Sequence, residues 1–211
     1  MSNLVLLGDS IFDNHAYVHG GPAVIDHVRR GLPIGWQATL LARDGAMTTG
    51  VSRQLEQMPL DGSHLVVSAG GNDVLEHASM ILYDAAASFN EVMSKLAKIQ
   101  SDFRAMYREM IEAVVSLGKP TFVCTVYDAI PGLEPSLVAA LSLFNDVILR
   151  EAIRAELPAV DLRQACTDPA DYAGIWPIEP SATGGAKIAS AVLRAVATPW
   201  ADRRGCHVFR R

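Results

Sequence analysis

The chain has 211 residues, half of them hydrophobic and 19% charged, which excludes a disordered polymer and is enough to fill a large core in one α/β domain. A formal charge of -5 and an isoelectric point near 5.6 give no electrostatic reason to expect nucleic acid, which would call for a basic face. No segment reaches the ~18 apolar residues of a membrane span. The N-terminus lacks the positive flank of a secretory leader, so a cytoplasmic protein is expected. Cys124, Cys166 and Cys206 are odd in number and widely spaced, which suggests neither a disulfide framework nor a zinc site; Cys124, inside an apolar run, reads as a core residue.

Leu4-Val5-Leu6-Leu7 is a short apolar run ended by Gly8, which predicts a buried strand that delivers Asp9 and Ser10 to the C-terminal edge of a sheet. In an open α/β sheet that edge is where ligands bind. Taken alone, Asp9 and Ser10 could equally cap the next element. After the break at Gly20-Gly21-Pro22, residues 23–30 read as a short helix, 36–42 as a second strand, 48–58 as a helix and 64–69 as a third strand running into Gly70-Gly71-Asn72-Asp73.

Residues 84–117 show one helical pattern, in which Ile99, Phe103, Met106, Met110 and Val114 recur at three- and four-residue steps until Gly118. A fourth strand spans 121–126. Leu137, Leu141, Phe144 and Ile148 stripe another helix, 159–162 form a short fifth strand, and Ile188, Val192 and Ala195 mark the buried face of the last helix. Alternating strands and helices imply a parallel sheet covered on both faces. The domain is expected to end near residue 198, and the segment 199–211, with Arg203, Arg204, Arg210 and Arg211, reads as a basic tail without assigned function.

A parallel sheet gathers the ends of its first three strands at one edge, and there stand Ser10, Gly45 and Asn72. Acyl transfer needs a hydroxyl that attacks and donors that hold the developing oxyanion. The backbone N–H groups of Ser10 and Gly45 and the side-chain amide of Asn72 would be those donors. Glycine suits the second position if a side chain there would crowd the substrate.

These blocks, Gly8-Asp9-Ser10, the glycine of Arg43-Asp44-Gly45, and Gly70-x-Asn72-Asp73, resemble in order and spacing those of the SGNH, or GDSL-type, hydrolases. The similarity runs from Leu4 to about Val196 and takes in Phe144-Asn145-Asp146 and Val160-Asp161-Leu162. The resemblance implies a three-layer flavodoxin-like α/β fold with about five parallel strands and hydrolysis of a small ester, acyl or acetyl-carbohydrate in type, without a cofactor or metal.

The fourth block departs from the family pattern. Where the family carries Asp-x-x-His-Pro, this chain has Trp176-Pro177-Ile178-Glu179-Pro180, and no histidine lies between His77 and His207. A serine hydroxyl is a poor nucleophile until a base takes its proton. Glu179 is one candidate base, helped if burial beside Trp176 raises its pKa; because Pro180 holds it extended, it should project into the pocket. Another candidate is a histidine: His15 and His19 follow Ser10 in its own loop and His77 follows Asn72, whereas His64 lies at the opposite edge, His27 in the first helix and His207 in the tail. A third outcome is a weak or inactive homologue that binds a small ester or carbohydrate ligand. Asp9, Asp13 and Asp73 at the same edge raise a metal-dependent phosphohydrolase instead, but no phosphate-cradling glycine loop accompanies them. Exposed apolar helix residues would support a homodimer.

Overall fold

The computed structural model describes residues 2–198 and 208–209. Strands β1 (Ser2–Gly8), β2 (Trp36–Leu40), β3 (Gly62–Ser68), β4 (Thr121–Cys124), β5 (Ala159–Val160) and β6 (Val208–Phe209) form one parallel sheet in the order β2-β1-β3-β4-β5-β6. β1 lies between β2 and β3, with Leu6 opposite Leu40 on one side and Val66 on the other. Leu4 to Leu7 are all fully buried, as continuous apolar strands covered on both faces must be.

Parallel neighbours need crossovers, and among the described residues seven α-helices supply them: α1 (Val24–Gly31), α2 (Val51–Leu55), α3 (Gly71–Glu76), α4 (Ala78–Tyr83), α5 (Phe89–Val115), α6 (Pro135–Arg154) and α7 (Ala182–Ala197). α1 packs against α7, while α5 packs against α6 and α2, giving a helical layer on each side of the sheet. Phe103, Tyr107 and Ile111 of α5 and Phe144 and Ile148 of α6 are buried in the core, with the Phe103 and Phe144 rings 4.5 Å apart.

Two expectations change. The helix expected over 84–117 is α5, but it starts only at Phe89, where Ser88 accepts a hydrogen bond from the Glu91 N–H; α3 and α4 lie before that span, at 71–83. Continuous apolar periodicity hid that cap. The segment 199–211 is not wholly a tail, because Val208–Phe209 pairs with β5 as a sixth strand. Its arginines, Cys206 and His207 lie outside the described residues. Cys124 and Cys166 are both buried, Cys124 within β4 as the apolar run suggests. Among the described residues no helix is long and apolar enough to cross a membrane.

Candidate active site

β1 ends where Gly8 takes φ +123° and passes so close to β3 that a Cβ would lie 1.7 Å from the Ser68 carbonyl oxygen. Only glycine fits there. The Gln54 side-chain amide closes the strand end, accepting from the Gly8 N–H at 2.8 Å and donating to its carbonyl at 2.7 Å. The chain then turns, with Phe12 and Asp13 N–H both donating to the Asp9 carbonyl. Ser10 thereby sits at the C-terminal sheet edge, 7% exposed.

Glu179 reaches Ser10 from the far end of the chain. Ser10 Oγ donates to Glu179 Oε1 at 3.0 Å. Three contacts hold the glutamate's loop: Asn14 Nδ2 donates to the Pro180 carbonyl at 3.0 Å, Tyr127 Oη donates to the Ile178 carbonyl at 2.6 Å, and the Ala173 N–H donates to the Glu179 carbonyl at 2.8 Å. Asn14 is fully buried and its Oδ1 accepts from the Val24 N–H, so one side chain ties the serine loop, the glutamate loop and α1 together. Ser181 then caps α7, accepting from the Gly184 N–H. Neither Asn14 nor Tyr127 stands out in the sequence, since each acts on a carbonyl far along the chain.

Burial pushes the Glu179 carboxyl up to about 7; the hydrogen bond from Ser10 opposes this and the charge of Asp44 adds to it. The expectation that Trp176 buries this group is corrected. Trp176 is 59% exposed, and its contribution is a backbone carbonyl that accepts from the Glu179 N–H at 2.9 Å. Burial comes instead from the cavity wall that Glu179 shares with Tyr127 and Ile178.

Asn72, in the first turn of α3, shares that cavity with Ser10 and donates one amide hydrogen to the Ala46 carbonyl at 2.9 Å. This bond joins the loops after β2 and β3. Gly45 has φ +74°, and a Cβ built on it meets nothing within 4 Å. The position therefore requires glycine for its backbone conformation rather than for crowding by protein atoms. Among the described residues, neither the Ser10 nor the Gly45 N–H has a protein acceptor.

The other carboxylates at this edge serve different partners. Asp9 Oδ1 accepts from the Ile11 N–H, Asp13 Oδ2 from the Asp44 N–H, and Asp73 Oδ2 from the N–H and hydroxyl of Thr48. Among the described residues no three metal-ligating side chains converge. Burial pushes Asp9 up to about 8, less the effect of its bond from Ile11, with Glu179 and Asp73 adding to the rise.

No histidine lines the cavity at Ser10 among the described residues. His15 and His19 are exposed, and His77 is half-buried with its ring 6.5 Å from that of Phe144. His64 packs on Trp36 in β3, away from the site.

A serine at the end of β1, a carboxylate on the loop before the last helix, and a glycine and an asparagine in the loops after β2 and β3 thus lie at one edge of a parallel sheet between two helical layers. The model of the GDSL-like lipase/acylhydrolase family matches residues 6–187, and the chain belongs to that family of ester-cleaving hydrolases. No curated protein sequence matches it. Among solved structures it is similar to an extracellular lipase from Streptomyces rimosus (18% identity, TM-score 0.68, covering 92% of this chain and 100% of the lipase). It is also similar to an acetylxylan esterase from Geobacillus stearothermophilus (16% identity, TM-score 0.67, 94% and 95% covered). A third is a lipolytic G-D-S-L family protein from Veillonella parvula (14% identity, TM-score 0.69, 94% and 100% covered). At these identities the likeness establishes the fold.

Proposed function

We propose that the protein hydrolyses a small-molecule ester through an acyl-enzyme on Ser10, with Glu179 as the base. The observation that carries this is the buried 3.0 Å bond from the Ser10 hydroxyl to Glu179 Oε1, at the position where the family places its histidine. As Ser10 Oγ bonds to the ester carbonyl carbon, its proton passes to Glu179, and the carbonyl electrons move onto the oxygen. The N–H groups of Ser10 and Gly45 and the second amide hydrogen of Asn72 receive that oxyanion. Collapse of the tetrahedral species breaks the carbon–alkoxide bond, and the proton on Glu179 goes to the leaving alcohol. Water then attacks the acyl-enzyme, giving its proton to Glu179; the acid departs, and the proton returns to Ser10.

A carboxyl near 7 suits this role, because a large fraction is ionised at neutral pH and that fraction is basic enough to accept a proton. A fluorophosphonate probe should label the wild-type protein at Ser10, and Ser10→Ala should lose labelling and at least about 1000-fold in ester turnover. An unchanged rate in Ser10→Ala would contradict the serine mechanism.

A further inference from the structure

The space around Ser10 is asymmetric in a way the sheet order explains. β1 lies between β2 and β3, so the loops after β2 fall on one side of Ser10 and those after β3 and β4 on the other. The β2 side is polar: Tyr17 Oη donates to Asp44 Oδ2 at 2.7 Å, and the Asp44 N–H donates to Asp13 Oδ2 at 3.0 Å, all at the exposed surface. The other side holds a half-open cavity with an apolar lining. Its wall is aliphatic, built from Val74 and Ala78 of α3 and α4, Val126 and Ile130 after β4, and Leu137 and Leu141 one turn apart on α6. Its carboxyl and amide groups belong to the reacting end: Asp9 precedes Ser10, Glu179 accepts its hydrogen bond, and Asn72 is the amide donor. The Tyr127 hydroxyl is already spent on the Ile178 carbonyl.

Such a wall offers the hydroxyls of a sugar nothing to bond with, and an acetyl methyl would fill little of it. It rewards methylenes, each of which improves binding by about fourfold when buried. The acyl part of an ester stays attached to the serine between the two half-reactions, whereas the alcohol must leave and admit water. A pocket with an apolar wall suits the group that stays, and the exposed polar side suits the group that departs. Building on the serine-hydrolase reading above, we propose that the aliphatic cavity is the acyl site, that it takes an unbranched apolar chain several carbons longer than acetyl, and that the alcohol leaves over the Tyr17-Asp44 side.

Ethyl octanoate and octyl acetate are isomers that differ in which side of the ester bears the chain. The wild-type enzyme should cleave ethyl octanoate with a kcat/KM at least about tenfold higher, and 4-nitrophenyl octanoate at least about tenfold better than the acetate. Ala78→Trp, which fills the cavity, should lower the octanoate-to-acetate ratio at least about tenfold. Equal rates for the two isomers, or preference for octyl acetate, would overturn the proposal whatever the variant does. Calorimetry on Ser10→Ala separates this from failure of the chemistry. If no ester is turned over but octanoate binds at least about tenfold tighter than acetate, the acyl site stands and the serine mechanism falls. If octanoate binds no tighter, the acyl site falls.

Discussion

Burying a carboxyl disfavours its charged form, and Asp9, Asp73 and Glu179 crowd three of them at one sheet edge, each with one oxygen that has no protein partner. In the proposed mechanism Glu179 would use the resulting rise in pKa for chemistry, whereas for Asp9 it makes stability depend on pH. Its pKa rises from 3.8 to about 8 on folding, so the native state holds a proton that the unfolded chain releases between those values. The stabilisation this gives is complete below about pH 4 and declines as pH rises to about 8. Asp9→Asn keeps the acceptor for the Ile11 N–H and cannot ionise. Its advantage over wild type in thermal unfolding should therefore grow from pH 4 to pH 8, reaching at least about 1 kcal/mol, or some 2–4 °C. A difference independent of pH over that interval would show that Asp9 ionises normally.

Between elements, the best-defined polar contact away from the site is the clamp joining α5 to α6. Glu151, fully buried on α6, accepts from Arg104 at 2.8 Å and from Arg108 at 2.9 and 3.0 Å on α5, and from Arg154 at 2.6 Å on its own helix. The bond from Arg108 leads in holding its pKa down at about 2, against burial and with help from Arg104 and Arg154. That contribution is present above pH 4.5 and lost as pH falls through about 2. Glu151→Gln should cost about 2 kcal/mol at pH 7, lowering Tm by about 4–8 °C, with the gap to wild type narrowing in acid. A shortfall unaffected by pH would point to packing alone. α6 also fixes the cavity, since its buried Asn145 accepts from the Val126 N–H and donates to the Val126 carbonyl, both at 2.8 Å. The apolar stripe of this helix was legible because Leu137, Leu141, Phe144 and Ile148 keep helical spacing. The Glu151 clamp was not, because its α5 partners lie more than 40 positions away.

Across the whole molecule, the legible features were those whose cause is local. The apolar runs of β1 and β3 and the glycine at position 8 each follow from backbone and burial rules acting within a few residues. The edge itself followed from the alternation of strands and helices, which is why Ser10, Gly45 and Asn72 could be placed together. The approach of Glu179 to Ser10 spans 169 positions and depends on Asn14 and Tyr127 gripping carbonyls of the 172–180 loop. Proline at 180 suggested the direction of Glu179, but its surroundings were misjudged, because local order put Trp176 beside it while the fold turns that ring to solvent. Whether this carboxylate takes the serine's proton is decided most directly by the pH dependence of kcat/KM for a 4-nitrophenyl ester in wild type and Glu179→Gln. Wild-type activity should rise with pH through about 7 as Glu179 ionises, and Glu179→Gln should fall by about 100- to 10,000-fold and lose that ionisation. A variant that retains wild-type rate and the same pH profile would contradict the account.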